Sequence, residues 1–212
     1  IDELSLKLNN FNDELSINPN NSDEMFSQLI KMNDVLGTLT DADKCRELIR
    51  QKENDKIELK ETLRINSHTG SVDKVMSKEI LIAINAFINS DGGHLLVGVH
   101  DNGDVVGLDR DIKSYSQRGG KDGVLSHISN LLKDHMEPEF KDNINYKFVK
   151  LNDKDILLFT IKKSYRDCFI DGEEYYFRQS PASIQLKGKK LIGYINQRKK
   201  LAIQQGFIDE EE

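Results

Sequence analysis

The chain of 212 residues contains no tryptophan, two cysteines and three prolines. Cys45 and Cys168 lie far apart in sequence. They supply no zinc pattern and are expected to be free cytosolic thiols. No apolar run reaches the length of a membrane span: the best, Ile80 to Ile88, is about half of what a bilayer requires. No membrane partner is therefore expected. The G-x-x-x-x-G-K-[ST] pattern is absent, so a P-loop is excluded and no nucleotide cofactor is expected. The five histidines show neither H-x-x-x-H nor H-E-x-x-H spacing. The N-terminus has no signal-like segment, and the first residue is Ile1 rather than Met. A trimmed chain or an ordered fragment of a cytoplasmic protein is the expectation.

What is present is charge, unevenly placed. The net charge of −6 argues against nucleic acid coating the whole surface. The N-terminal stretch carries Asp2, Glu3, Asp13, Glu14, Asp23 and Glu24 against Lys7, and the chain ends in Asp209, Glu210, Glu211 and Glu212. Between these acidic ends, residues 178–207 contain Arg178, Lys187, Lys189, Lys190, Arg198, Lys199 and Lys200 and no acid. Phosphate contacts come from such side chains. Tyr175, Tyr176, Phe177 and Tyr194 are placed to stack on unpaired bases. The bland alternative is a solvated helix face beside core aromatics.

Hydrophobic periodicity divides the chain near residue 50. Residues 1–50 read as a helical extension: one helix over Leu4 to Leu15, a second capped by Ser22 and stopped by Gly37, and a third from Asp41 through Ile49. Their apolar stripes suit packing or oligomerisation. From Ile57 to Ile65 the parity of Ile57, Leu59, Leu63 and Ile65 predicts a half-buried strand. A buried helix is expected over Ser77 to Asn89, ended by Asp91-Gly92-Gly93, and then a strand from His94 to His100. Asp101-Asn102-Gly103-Asp104 predicts a hairpin turn returning through Leu108. A helix from Lys121 stops before Pro138. A hairpin turns at Asn152-Asp153, a third turns at Asp171-Gly172, and a last helix runs from Lys189 to Gln204. The fold class is α+β, with a mostly antiparallel or mixed sheet and packed helices. The acidic tail is 208–212.

Several side chains qualify for chemistry. Glu53, Glu58 and Asp101 sit at the ends and on the polar face of buried elements. Carboxylates fixed on rigid elements can hold a divalent metal for phosphodiester chemistry. Read without function, Glu58 is a strand residue paired with Lys60, Glu53 is a helix-surface charge and Asp101 is a turn former. Lys60 shares the face of Glu58, about 7 Å along the strand, where it can meet a phosphate or form an ion pair of little worth. The Asp91-Gly92-Gly93 turn can approach a phosphate or only stop a helix. His100, beside Asp101, reads as a general base or as a structural histidine.

The ordered set Glu58-Leu59-Lys60, Asn85-Ala86-Phe87-Ile88-Asn89, Gly92-Gly93, Gly98-Val99-His100-Asp101, and the following hairpin resembles the AlbA-like domain of the Schlafen family. Arg178-Gln179-Ser180-Pro181-Ala182-Ser183 resembles its late R-x-G-S-S-T segment. The resemblance covers about Gln51 to Tyr194. It implies a metal-dependent endoribonuclease acting on structured RNA such as transfer RNA. The metal, Mg²⁺ or Mn²⁺, would sit on a triad of two glutamates five positions apart and an aspartate near a strand end, which fall on Glu53, Glu58 and Asp101. Lys60, with the basic C-terminal residues, would bind the RNA backbone. The chain departs from the vertebrate members in lacking their Cys/His zinc site and in having one lobe where they have two, so a homodimer is expected. The alternatives are a non-catalytic nucleic-acid-binding module, DNA included, and an oligomerisation or interaction module.

Overall fold

Residues 40–207 are described in the structure, a computed structural model. The helices expected before residue 40 and the acidic tail lie outside the described residues. The chain divides into two compact units, 1–47 and 48–212, and the site belongs to the second.

Helix α1 (Asp41–Gln51) starts where the sequence placed it and is capped by Thr40. Thr40 Oγ1 accepts from Asp43 N at 3.2 Å, and Thr40 N donates to Asp43 Oδ2 at 3.1 Å. This reciprocal cap satisfies orphan amides at the helix start. Helix α2 (Lys74–Ile88) is capped by Asp73, whose side chain accepts from Val75 N. It is apolar over most of its circumference and fills the interior; Ile80, Ile84, Phe87 and Ile88 are fully buried.

Strands β1 (Ile57–Lys60), β2 (Gly93–Val97), β3 (Ile144–Leu151) and β4 (Lys154–Ile161) form one sheet in the order β1-β2-β4-β3. The β1–β2 pair is parallel and the other two are antiparallel, so the sheet is mixed, as expected. Asn152 and Asp153 both take positive φ (50° and 62°), the turn that matches the twist of a two-residue hairpin. Strands β5 (Tyr175–Gln179) and β6 (Ala182–Leu186) form a separate hairpin. Helices α3 (Asp109–Ser114), α4 (Lys121–His135) and α5 (Gly188–Gln204) complete the domain.

Three expectations need correction. The strand expected through Ile65 ends at Lys60, because Lys60 O accepts both Gly98 N (2.7 Å) and Val99 N (3.1 Å). Gly98, at φ 101°, turns β2 away there. Leu63 and Ile65 are buried all the same. Asp111 holds their segment by accepting Thr62 Oγ1 and Arg64 N, each at 2.9 Å. The third hairpin is β5–β6, joined through Ser180-Pro181; Asp171-Gly172 closes only the bridge between Ile170 and Glu174. The return after Asp101–Asp104 is likewise one bridge, Val99 to Val105. Helix α3 has no counterpart among the elements expected from sequence.

Candidate functional site

Strand β1 is an edge strand, and its free side organises the site. Its register pairs Glu58 with Leu95 and Lys60 with Val97. Both polar side chains therefore project from the sheet face covered by α2, where Leu95 and Val97 are core. Ile57 and Leu59 point the other way and are buried. The sequence-predicted sharing of a face by Glu58 and Lys60 is thus observed, and Lys60 Nζ donates to Glu58 Oε1 at 2.6 Å.

Glu53 is not on a helix surface. Helix α1 ends at Gln51, with Lys52 at φ 59°, and Glu53 lies in the short loop before β1. Its Oε1 accepts Leu59 N at 3.1 Å, filling a donor on the unpaired edge of β1. Burial pushes the Glu53 carboxyl above its ordinary value, the Leu59 amide opposes this, and the charges of Glu58 and Asp101 push it further up against the pull of Lys60. Glu53, Glu58, Lys60 and Asp101 therefore share one electrostatic neighbourhood, although Asp101 is far away in sequence. Burial lowers the Lys60 ammonium, but its bond to Glu58 and the charges of Glu58, Glu53 and Glu79 leave it raised overall. Lys60 stays charged at neutral pH.

Asp101 is exposed, in a turn stitched by its neighbours. His100 N donates to Asp104 O, Gly103 N to His100 O, and Asn102 N to His100 Nδ1 at 3.2 Å. The His100 ring is thus occupied in turn geometry.

Arg178 is the residue whose role sequence reading misassigned. Expected at a nucleic-acid surface, its side chain is only 1% exposed. It reaches Glu58 Oε2 through Nη1 at 2.6 Å, and Asn54 O and Pro181 O through Nη2, each at 2.6 Å. Its guanidinium lies 4.7 Å from the centroid of the Phe87 ring, and Arg178 Nε is buried without a partner. Arg178 is therefore an internal clamp joining the β5–β6 hairpin to Glu58 and to the loop carrying Glu53. Strand parity gave no signal for this: Tyr175 and Arg178, the two buried residues of β5, are three apart and so project from opposite faces of the hairpin.

The hairpin is in turn held by two buried asparagines one turn apart on α2. Asn85 Oδ1 accepts Tyr176 N at 2.9 Å, and Asn85 Nδ2 donates to Cys168 O at 3.1 Å. Asn89 accepts Cys168 N at 2.9 Å and donates to Cys168 O at 2.8 Å and Tyr176 O at 3.1 Å. Ser90 Oγ accepts Arg178 N at 2.8 Å. The N-x-x-x-N spacing thus supplies side-chain partners for the backbone of β5, where a neighbouring strand would otherwise do so.

Of the other predicted basic residues, Arg198 is also partly withdrawn: it bonds Asp167, Ser164 O and Tyr175 OH. Lys187, Lys189, Lys190, Lys199 and Lys200 are exposed. None of these five makes an ion pair among the described residues.

Among the described residues, no three His, Cys, Asp or Glu side chains converge closely enough to form a ready metal cluster. The donor chemistry nevertheless suits a hard divalent ion: Glu53, Glu58 and Asp101 offer only carboxylate oxygens. Glu53 Oε2 has no hydrogen bond among the described residues; Glu53 is raised first by burial and then by the charges of Glu58 and Asp101, and a cation would relieve that second part. Glu58, by contrast, already has one cation on each oxygen. Cys45 and Cys168 are both free and buried. No helix among the described residues is long and apolar enough to cross a membrane.

Comparison with curated proteins found no match. Among solved structures, the chain is similar to the DIP2311 protein from Corynebacterium diphtheriae, with 10% identity and a TM-score of 0.44. The alignment covers 78% of this chain and 27% of that one. The family model described as "Schlafen, AlbA_2" matches residues 53–187, from the first candidate carboxylate through the clamp hairpin. With more than half of its 212 residues matched, the chain belongs to the Schlafen AlbA_2 family.

Proposed function

We propose that this domain is a metal-dependent endoribonuclease of Schlafen type, acting on structured RNA such as transfer RNA. Membership of the family supports a nucleic-acid-related function. The observation that supports the finer reading is that Glu53, bonded to Leu59 N, and the Glu58–Lys60 pair meet at the half-buried edge of β1, where the charge of Asp101 also acts on Glu53. Glu53, Glu58 and Asp101 would hold Mg²⁺ or Mn²⁺. A bound divalent ion would offset charge at the phosphate and lower the pKa of water.

The chain's own residues have definite parts in this reading. Lys60 keeps its charge, and Glu58 takes one of its three donors, leaving two for a phosphate oxygen. Arg178 fixes the Glu58 carboxylate from behind, so that its orientation does not depend on substrate. The exposed lysines at 187, 189, 190, 199 and 200 would hold the backbone of the RNA. A second copy of the chain would extend this one-lobed surface.

Cleavage of total transfer RNA by the purified protein, with Mn²⁺ or Mg²⁺ and then with EDTA, tests the proposal. Discrete fragments that vanish with EDTA and in a folded Glu58→Gln variant are expected. Intact RNA under all conditions, with salt-sensitive binding retained, would leave the second reading: a non-catalytic module for RNA or DNA. One observation favours that reading. Both Glu58 oxygens are already neutralised by Lys60 and Arg178, an arrangement stable without any metal.

A further inference from the structure

On different elements from the carboxylate site, Arg64, Tyr115 and Arg118 wall two adjoining cavities of about 440 and 220 Å³. The larger is also lined by Ser114, Ser116 and Gln117 and the smaller by Ser126, His127 and Asn130. Neither contains an acid. Three other cavities of the domain each carry at least one: Glu137 and Asp142, Asp109 and Asp111 with Glu61, and Glu139.

The two arginines differ in how they are held. Arg64 lies over the Tyr115 ring, 4.2 Å from its centroid, and Nη1 donates to Tyr115 OH at 2.5 Å. Its Nε is buried with no partner. Its guanidinium thus has a fixed position and unused donors. Asp111 lies behind the site, its oxygens accepting Thr62 Oγ1 and Arg64 N; its charge reaches Tyr115 and His127, but it makes no ion pair with Arg64 among the described residues. Arg118 is exposed and makes no ion pair among the described residues. It is carried on a turn in which Arg118 N donates to Tyr115 O at 2.8 Å and Gly120 N to the same oxygen at 2.9 Å. Helix α4 closes onto that turn at Gly123, where an added Cβ would lie 2.8 Å from both Arg118 O and Tyr115 Cβ. His127 tilts against Tyr115, ring centroids 5.6 Å apart. Burial, then the Arg64 charge, holds its imidazole below the usual histidine range against the opposing charge of Asp111. Asp122, in the first turn of α4, sits beside Gly119 and does not line either cavity.

We propose that the Arg64–Arg118–His127 cavity is a phosphate-binding site, separate from the carboxylate cluster, for a phosphate group of a nucleic acid chain. Two guanidiniums supply forked donors matched to phosphate oxygens. Ser116, Ser126 and Asn130 offer further polar groups, and no carboxylate lines either cavity; Ser114 Oγ is already spent on Asp111 O and His127 Nε2 on Ser77 Oγ. The site does not require metal or cleavage, so it stands or falls separately from the nuclease reading.

Titration of the protein with inorganic phosphate at fixed ionic strength, using sulfate-free buffer and a chloride control, is the test. Saturable binding is expected, with loss of about tenfold in affinity in Arg118→Gln, the worth of a charge-assisted hydrogen bond. Lys150→Gln, an exposed change on β3, should leave inorganic phosphate affinity unchanged. Because Arg118 is exposed, its variant is expected to fold, and a circular dichroism melt checks this. Arg64→Lys gives a second reading: it keeps the charge but loses the fork, and should also weaken phosphate. Competition by an oligoribonucleotide with a 5′-phosphate but not by its unphosphorylated twin would assign a terminal phosphate. Equal competition by both would assign a backbone phosphate. Absence of saturable binding, or equal loss in Arg118→Gln and Lys150→Gln, overturns the proposal.

Discussion

Arg178 and Lys200 lie in the same acid-free stretch of sequence, and the fold gives them opposite work. Arg178 is enclosed between Glu58, two backbone carbonyls and the Phe87 ring. Lys200 stands in solvent on α5. A buried guanidinium that completes several hydrogen bonds is worth much to the fold, because removal leaves each partner unsatisfied. An exposed lysine is worth little to the fold and is free to meet phosphate. Cationic residues in one sequence neighbourhood therefore cannot be treated as one surface.

The sharpest way to break this comparison is to remove the clamp. Arg178→Ala leaves Glu58 with Lys60 alone and the carbonyls of Asn54 and Pro181 without their guanidinium, and should destabilise the domain by about 3 kcal/mol in urea unfolding. Arg178→Lys should recover only part, since one ammonium cannot span the same partners. If Arg178→Ala were as stable as the parent, the clamp would be ornamental and Arg178 would return to the surface set. The next largest effect is Asn89→Ala. It removes the side-chain partners of Cys168 N and Tyr176 O, and a loss of about 2–3 kcal/mol is expected. Hydrogen exchange at β5 should rise along with it.

A smaller effect separates Glu53 from the clamp. Its folded pKa is raised, so the folded state holds more protons than the unfolded chain just above the ordinary value of 4.5. Stability contributed by this group is present at low pH and lost as pH rises through the raised folded pKa. Glu53→Gln keeps an acceptor for Leu59 N and should be slightly more stable than the parent at neutral pH, with a flatter pH profile above 4.5. Mg²⁺ or Mn²⁺ should stabilise the parent by mass action and stabilise Glu53→Gln less. Equal response to the metal in both proteins would remove Glu53 from the ligand set.

How much of this was legible follows from range. The β3–β4 hairpin was readable because Asn152-Asp153 is a local turn between two apolar runs, and α5 was readable from its spacing. The shared face of Glu58 and Lys60 followed from strand parity. The premature end of β1 was not legible, since it is set by Gly98 and Asp111, which are distant in sequence. Nor was the clamp: Asn85, Asn89 and Arg178 look like a helix end and a basic strand until the hairpin is laid across α2. Asp101 near Glu53 was supported by family resemblance alone, because no periodicity links a loop before β1 to a turn after β2.

The gentlest test concerns the exposed lysines. Lys189 and Lys200 are eleven positions apart on α5, which places them about 20° apart around the helix and about 16 Å along it. Both lie on the side away from the buried Ala202. A nucleic acid backbone lying along that face would contact both, whereas a partner meeting only the helix start would contact Lys189 alone. Each single Lys→Gln change should leave urea stability within about 0.5 kcal/mol. If both lysines touch phosphate, each should lower the slope of log affinity against log salt by about 0.7–0.9, and the two reductions should add. A reduction from Lys189→Gln without one from Lys200→Gln would confine the nucleic acid to the end of α5 beside the clamp hairpin and Lys187. Unchanged slopes in both would remove Lys189 and Lys200 from the nucleic-acid contacts. Arg178 would then stand with Arg198 as a cation of that stretch turned inward, its work being to hold Glu58.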